Sequence, residues 1–169
     1  MSAIEIRGEQ PADIDEIRRL TEIAFADIPF SEGDEQHVID RLRARGQLAL
    51  SLVALQEDRL VGHIAFSPSV SSCGASDWYA LGPVSVIPER QRQGIGSALI
   101  REGMGQLASM GARGCILTGN PDYYRRFDFE LSPAQCPERQ PAEYFMVRQF
   151  GTSSLSSKFE FDDAFYGNA

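Results

Sequence analysis

The segment that most constrains the fold runs from residue 77 to residue 110, where an apolar strand leads through a glycine loop into a helix. The strand-like stretch DWYALGPVSVIP ends at Pro88, whose lack of an N–H suits the end of a strand. Apolar residues then recur at helical spacing from Gly94 to Met110, and Gly111 ends the run. A strand that leads into a helix in this way predicts an α/β domain.

The loop between that strand and helix, ERQRQGIG, has the composition of a phosphate-binding turn. The first N–H groups of a helix have no intrahelical partners, and the helix dipole favours an anion there. Gly94 and Gly96 lack a Cβ, so a bulky anion can approach the backbone, and Arg90 and Arg92 add positive charge. The plainer alternative is a turn that needs flexible residues and binds nothing.

Two familiar phosphate loops do not match this segment. A P-loop requires a lysine directly after its second glycine, and no lysine follows either glycine here. The dinucleotide-binding fingerprint requires a small residue where Leu99 stands and an acidic residue about 20 positions later, where the chain has RGCILTG. Neither known motif therefore explains the loop.

The other apolar patterns give a mixed α/β order of elements within one domain, residues 1–169. Alternation near the start predicts a first strand, and Pro11 to Asp13 opens the first helix. The remaining predictions are a helix over 34–45, strands over 48–55 and 60–70 joined by the turn QEDR, a strand over 114–119, a short helix over 121–127, and strands over 143–150 and 158–165. No internal repeat is present.

Composition limits the class of protein. The chain has 169 residues, of which 43% are hydrophobic and 24% charged, enough for a sizeable core. No run approaches the roughly 18 apolar residues of a membrane helix, and the charged start MSAIEIRGEQ lacks the apolar run of a signal peptide. We therefore expect a soluble, cytoplasmic protein with no membrane partner. The net charge of −8 disfavours nucleic acid as a partner.

The cysteine and histidine content argues against a disulfide framework and against a metal site. Cys73, Cys115 and Cys136 are an odd number, widely spaced, and have no neighbouring histidines. The chain has only two histidines, His37 and His63. We expect no metal cofactor.

Two segments together resemble the GCN5-related N-acetyltransferase (GNAT) family. QRQGIG, from Gln91 to Gly96, matches the family's acetyl-CoA-binding pattern Q/R-x-x-G-x-G/A, and LGPVSVIPERQRQGIGSALI is similar to its central strand, pyrophosphate loop and helix. GNPDYYRRFDF, from Gly119 to Phe129, is similar to a later motif with an aromatic pair. The resemblance implies a central, mostly antiparallel mixed sheet with a splayed parallel strand pair and flanking helices.

The resemblance also implies a set of coenzyme contacts. The backbone of Val84, Ser85 and Val86 would contact the pantetheine arm and the acetyl carbonyl, and Asn120 would bond the pantetheine amides. A run of seven loop residues would hold the pyrophosphate: Gln91, Arg92, Gln93, Gly94, Ile95, Gly96 and Ser97. The implied reaction is direct transfer of the acetyl group to an amine in a ternary complex, so Cys115 need not act as a nucleophile.

Tyr124 aligns with the family's tyrosine and is the candidate acid for the leaving thiolate. The alternative is that Tyr123 and Tyr124 are both packing aromatics. The family motif has glycine where Asp128 stands, and Asp tolerates the left-handed backbone region better than most residues.

The base that deprotonates the amine is not assigned by the sequence. His63 has a suitable ordinary pKa, near 6.5, although a buried structural histidine is the simpler interpretation. Acidic residues on the expected substrate side, or a chain of waters, are the alternatives: Glu32, Asp34 and Glu35.

Other functions and assemblies stay open. A non-catalytic acyl-CoA-binding protein with the same fold is the alternative to the enzyme. A nucleotide-binding or nucleic-acid module is disfavoured by the mismatched phosphate motifs and the acidic charge. Late strands in the resembled family often form dimers, so residues 158–165 are a candidate homodimer strand, and a monomer is the alternative.

Overall fold

Local sequence signals account for most of the helix and strand boundaries. The computed structural model describes residues 3–29, 31–151 and 155–167. Its strands and helices follow in this order: β1 (Ile4–Gly8), α1 (Ile14–Phe25), α2 (Glu35–Ala44), β2 (Leu50–Gln56), β3 (Arg59–Ser71), β4 (Trp78–Val86), α3 (Ile95–Ser109), β5 (Gly114–Thr118), α4 (Pro121–Tyr124), β6 (Glu130–Leu131), β7 (Phe145–Gln149) and β8 (Phe159–Glu160).

The strands form one mixed sheet in the order β1-β2-β3-β4-β5-β7-β6, with β8 paired to β3. Every pairing is antiparallel except that of β4 with β5, which is parallel. This parallel pair extends only from Trp78 opposite Gly114 to Ala80 opposite Ile116. Beyond those residues β4 stays paired with β3, and β5 stays paired with β7. The two central strands therefore separate at their carboxyl ends, which confirms the predicted splayed pair.

Helices cover both faces of the sheet. Helix α3 packs on one face, where Ile95 and Leu99 lie against Gly62 of β3. Helices α1 and α2 pack on the other, where Ile17 and Ile39 cluster with Val53 of β2. Because successive side chains of a strand point to opposite faces, this arrangement fixes which residues of β4 face which helices.

The register between strands assigns β4 to those faces. Val84 and Val86 stand opposite Ile64 and Gly62 of β3, on the side of α3. Ser85 stands opposite His63, on the side of α1 and α2. The predicted contact strand thus shows two valines to the face that carries the glycine loop.

Two differences from the predicted order lie near the carboxyl end. The strand predicted over 158–165 is wrong beyond its first residues, because β8 ends at Glu160 and a 3₁₀ turn follows over Asp163–Tyr166. The side chain of Asp162 accepts the N–H of Ala164 at 2.9 Å, a local bond that favours a turn over a strand. The two-residue strand β6 was not predicted. The predicted dimer strand pairs with β3 of its own chain, and the homodimer stays a prediction.

A glycine in the interior of α3 sets how closely this helix approaches the sheet. A Cβ built on Gly103 would lie 2.3 Å from Cε2 and 2.5 Å from Cζ of Phe66, far inside a normal contact. Phe66 is fully buried in β3 and has no space to yield. A Cβ on Gly105, two residues later, would have no described atom within 4 Å beyond its chain neighbours and the backbone of α3 itself.

Gly103→Ala should therefore destabilise the protein, although alanine is normally the better helix residue. We expect a loss of about 1–3 kcal/mol from forced repacking against Phe66. The matched variant Gly105→Ala should gain roughly 0.5–1 kcal/mol from helix propensity alone. Urea unfolding of both variants measures the two changes, and equal stabilisation by both would contradict the close packing.

Candidate active site

The loop between β4 and α3 is held in an open turn by two residues with left-handed backbone. After a 3₁₀ turn over Pro88–Arg90, φ is +65° at Arg92 and +87° at Gly94. Gly94 caps α3, and its carbonyl accepts the N–H of Ala98 at 3.0 Å. The N–H groups of residues 95–97 precede that first helical bond and so have no partner inside the helix. The loop thus directs a set of backbone donors and the positive end of the helix dipole outward.

A cavity of about 560 Å³ opens beside this loop. Valines of β4, residues of the loop and of the start of α3, and side chains of the segment after β5 line this cavity together. The lining residues are Val84, Val86, Arg90, Gln91, Arg92, Gly94, Ile95, Gly96, Ser97, Tyr123 and Arg126. Most of the residues predicted from the sequence for coenzyme contact therefore meet at one cavity.

The lining includes three side chains that the predicted contact set left out. Arg90 donates from Nε to Oε1 of Gln56 at 2.9 Å, which fixes its position at the rim. The hydroxyl of Tyr123 lies 3.5 Å from Oγ of Ser97, and the guanidinium of Arg126 lies 4.7 Å from the centre of the Tyr123 ring. For Tyr123 and Arg126, the sequence feature that indicates a shared position is their spacing of three residues, which places them on one side of a helical turn.

These lining groups fit a phosphate-bearing coenzyme. Exposed backbone donors, a helix N-terminus and several guanidinium groups are what a pyrophosphate requires. The valines offer an apolar wall for the adjoining carbon chain. Gln91 lines the cavity, and its Nε2 donates to the Val86 carbonyl at 3.0 Å, which ties the loop to β4. Its predicted role at the pyrophosphate stays a prediction.

Four predicted site residues do not line the cavity. The Ser85 side chain is buried on the opposite face of the sheet, with no partner for its Oγ among the described residues, so only its backbone belongs to the predicted contact. Gln93 is exposed on the outside of the loop. Asn120 caps α4, and its Oδ1 accepts the Asp122 N–H at 2.9 Å. Tyr124 is the fourth, and all four roles stay predictions.

Tyr124 lies in an aromatic group after the end of β5. Its ring is 5.0 Å from that of Tyr123 and 6.1 Å from that of Phe129, centre to centre, in edge-on contacts. Burial raises the pKa of the Tyr124 hydroxyl above its usual range, and the neighbouring Tyr123 and Cys115 add to the effect. Within the described ranges the hydroxyl makes no hydrogen bond. Next to Tyr123 of the cavity lining there is thus a phenol that keeps its proton and has that proton free to donate.

The motif around Tyr124 accommodates its unusual aspartate. Asp128 has φ of +67° and ψ of +20°, the left-handed conformation that a glycine would adopt without strain. Its N–H donates to the Arg125 carbonyl at 3.0 Å and closes the turn. The departure from the family pattern therefore leaves the turn after α4 intact.

His63 is not placed as a base that a substrate can reach. It is fully buried, and burial lowers its pKa to about 4, so the ring is neutral near pH 7. Its Nε2 lies 2.7 Å from Oγ of Ser51, which donates to Glu9 at 2.7 Å, and Glu9 pairs with Arg43 at 2.7 Å. Because the Ser51 hydroxyl gives its proton to Glu9, Nε2 of His63 must be the protonated nitrogen.

The acidic candidates for the base have mostly structural partners. Asp34 forms an ion pair with Arg41 at 2.5 Å, and Glu35 accepts the Ser31 hydroxyl at 2.6 Å. Glu32 is exposed. The interactions of Asp34 and Glu35 therefore stabilise the start of α2, and the base stays unassigned.

Cys115 is buried, and burial raises the pKa of its thiol, which suits an inert side chain. Over residues 3–29, 31–151 and 155–167, no three His, Cys, Asp or Glu side chains come together to hold a metal ion. In the same part of the chain, no helix has both the length and the apolar character needed to cross a membrane.

Comparison with known proteins gives consistent matches. A family model described as an acetyltransferase (GNAT) domain matches residues 5–132. The uncharacterized N-acetyltransferase YhbS of Escherichia coli K12 is 33% identical over 129 residues, which is 75% of this chain and 74% of that protein. A GNAT family acetyltransferase from Brucella melitensis, solved with acetyl-CoA, superimposes with a TM-score of 0.86 and 43% identity, covering 98% of this chain and 99% of that one. Escherichia coli YhbS, solved with CoA, gives a TM-score of 0.90 and 26% identity over 100% and 95% of the two chains.

The buried His63 should make stability fall as the pH falls below its ordinary pKa. Its folded pKa of about 4 lies below the 6.5 of an exposed histidine. On acidification the unfolded state therefore binds the proton first and is stabilised relative to the folded state. Between pH 7.5 and pH 5 this group should cost about 2 kcal/mol of unfolding free energy. Urea unfolding at both pH values tests this, with His63→Gln as the comparison. An equal pH dependence in the two proteins would refute the assignment, whatever their absolute stabilities.

Proposed function

We propose that this chain, which belongs to the GNAT acetyltransferase family, transfers the acetyl group of acetyl-CoA to a primary amine by direct attack in a ternary complex. The observation that carries the proposal is the cavity beside the glycine loop, which joins an anion-binding helix N-terminus to the β4 strand that turns away from β5. Acetyl-CoA supplies the thioester and its leaving thiolate. We further propose that residues 1–169 act as one domain.

The loop residues hold the pyrophosphate end of the coenzyme. Backbone N–H groups from Gly94 to Ser97 donate to phosphate oxygens, and the Arg92 guanidinium adds a charge-assisted contact. Gln91 acts indirectly, because its side chain ties the loop to the end of β4. Gln93 contributes its backbone, since its side chain is exposed.

The β4 backbone holds and polarises the acetyl-bearing arm. The edge of β4 over residues 84–86 has no pairing with β5 and offers donors and acceptors to the pantetheine amides. A backbone N–H of this segment donates to the acetyl carbonyl oxygen as the amine attacks, where negative charge develops. The amide nitrogen of Asn120 contributes from the other strand end, because its oxygen is engaged in capping α4.

Tyr124 donates a hydrogen bond to the leaving sulfur. Its raised pKa keeps the hydroxyl protonated across the physiological range. Because a thiol has a lower pKa, about 8.5, than this phenol, complete transfer of the proton to the thiolate is uphill. The hydroxyl therefore stabilises the developing thiolate as a donor, and the thiol receives its final proton as it leaves the site. The non-catalytic alternative gives this free donor no role.

Binding of acetyl-CoA is the first test of the proposal. Isothermal titration of the full chain should give a dissociation constant of about 1–10 μM, about −7 to −8 kcal/mol. Gly94→Glu should abolish binding, because its φ of +87° disfavours a side chain and the carboxylate repels phosphate. Gly105→Glu adds the same charge to an open position of the same helix and should bind normally.

The outcome of this titration distinguishes a phosphate-binding loop from a turn that binds nothing. CoA should bind like acetyl-CoA, and free ATP should bind far more weakly. Absence of acetyl-CoA binding at millimolar ligand would remove the enzyme proposal altogether. Unfolding midpoints of both glutamate variants show whether each has kept its fold.

Tyr124→Phe should separate catalysis from binding. We expect unchanged affinity for acetyl-CoA and a fall in turnover of about 10²–10⁴-fold, the usual contribution of a positioned proton donor. Thiol release from acetyl-CoA with a panel of primary amines measures turnover, and Tyr123→Phe, which keeps its ring beside Arg126, is the matched control. Unchanged turnover in Tyr124→Phe would remove the donor. The raised pKa also predicts that Tyr124 adds no loss of activity up to about pH 10.

A further inference from the structure

Most arginines of this acidic chain are neutralised by carboxylates, and the arginines of the cavity are not. Among the described residues, nine arginines form ion pairs with N–O distances of 2.5–3.7 Å: Arg7, Arg18, Arg19, Arg41, Arg43, Arg45, Arg59, Arg125 and Arg139. Arg90, Arg92 and Arg126 all line the cavity, and none of them pairs with a described carboxylate. The positive charge of this cavity is therefore available to a ligand.

Arg126 belongs to the part of the cavity lining that comes from the segment after β5, and its side chain lies over an aromatic ring. Its guanidinium lies 4.7 Å above the centre of the Tyr123 ring, and the Tyr123 hydroxyl reaches the first turn of α3 at Ser97. A planar guanidinium held against a ring loses less freedom when it binds a phosphate. The adjoining Phe127 ring, 5.4 Å from that of Tyr123, carries the Arg101 guanidinium at 5.0 Å. Cationic groups thus continue from the cavity along the junction of α3 and the segment after α4.

The coenzyme has more phosphate than the loop accounts for. The pyrophosphate diester is matched by the loop N–H groups, the α3 N-terminus and Arg92. A phosphomonoester, such as the ribose 3′-phosphate, adds about −1.5 to −2 charges at pH 7. In the proposed arrangement the pantetheine arm lies along β4 and the pyrophosphate lies at the loop. Arg126 is the lining cation that comes from neither of these segments and pairs with no described carboxylate, so it is left for the third phosphate.

We propose that Arg126 binds the ribose 3′-phosphate, so that this cavity selects coenzyme A over forms that lack that phosphate. The inference rests on the proposed function, since it assumes that the cavity takes coenzyme A. It assigns Arg126 to substrate selection and leaves the chemistry at the thioester to other residues. The adjacent Arg125 is the natural contrast, because it pairs with Asp122 at 3.6 Å and does not line the cavity.

Titration of the full chain with CoA and with 3′-dephospho-CoA tests the proposal. The unaltered protein should bind CoA about tenfold or more tightly than dephospho-CoA, as one charge-assisted phosphate contact provides. Arg126→Gln should lose about that factor for CoA and keep its affinity for dephospho-CoA. Arg125→Gln should leave both affinities unchanged, and Arg126→Lys should retain part of the preference as a less directional charge.

The outcomes separate this inference from the proposed function. Equal affinity of the unaltered chain for the two ligands, or an equal loss for both in Arg126→Gln, would overturn the role of Arg126 and leave coenzyme binding standing. If neither ligand binds the unaltered chain, the proposed function fails and the inference fails with it. The comparison of the two ligands on the unaltered protein needs no variant, so a variant that does not fold leaves the proposal open to refutation.

Discussion

The site depends on the absence of hydrogen bonds between β4 and β5 beyond Ala80 and Ile116. Each strand is fully engaged on its outer side, β4 by β3 and β5 by β7, so the two can part without leaving the sheet. Pro83 has no N–H to offer a neighbouring strand, and the register with β3 shifts where Phe66 meets Leu81. The glycine loop follows β4 and the α4 segment follows β5, so residues of both line the opening where these strands part.

Charge is distributed to match that opening. The chain carries a net charge of −8, which opposes the approach of a polyanion in general. Ion pairs remove most arginine charge from the rest of the surface, while the cavity keeps its guanidinium groups and a helix N-terminus. The acidic remainder of the chain repels an anion, and the cavity offers that anion unpaired positive charge. The overall charge of a protein is thus a poor guide to the charge of its site.

The parts of the fold and site that depend on short segments were predictable from the sequence. The glycine loop, its helix and the turn at Asp128 follow from local backbone preferences, and the structure has them where the sequence placed them. The end of β8 was wrong because a single side-chain bond from Asp162 competes with strand pairing. The two-residue strand β6 is too short to show the alternation of apolar and polar residues by which a strand is predicted.

Other features required distances that no sequence pattern carries. The inclusion of Tyr123 and Arg126 in the cavity depends on how α4 approaches α3. The burial of His63 depends on the pairing of three strands and on Glu9 beyond the end of β1, linked through Ser51. Residue types and their spacing identify the candidate site residues, and the packing of the elements determines which of these residues come together.

The short pairing of β4 with β5 would, on the proposed function, make a ligand part of the architecture. An extended molecule bound in the gap would meet the unpaired edges of two strands and take over hydrogen bonds that a continuous strand would have made. The bound molecule would take the place of a strand between β4 and β5, so that binding of the ligand would also complete the sheet. Its arrival should stiffen the one region where the sheet is weakest, and its departure after reaction should restore the looser edge from which the next molecule begins.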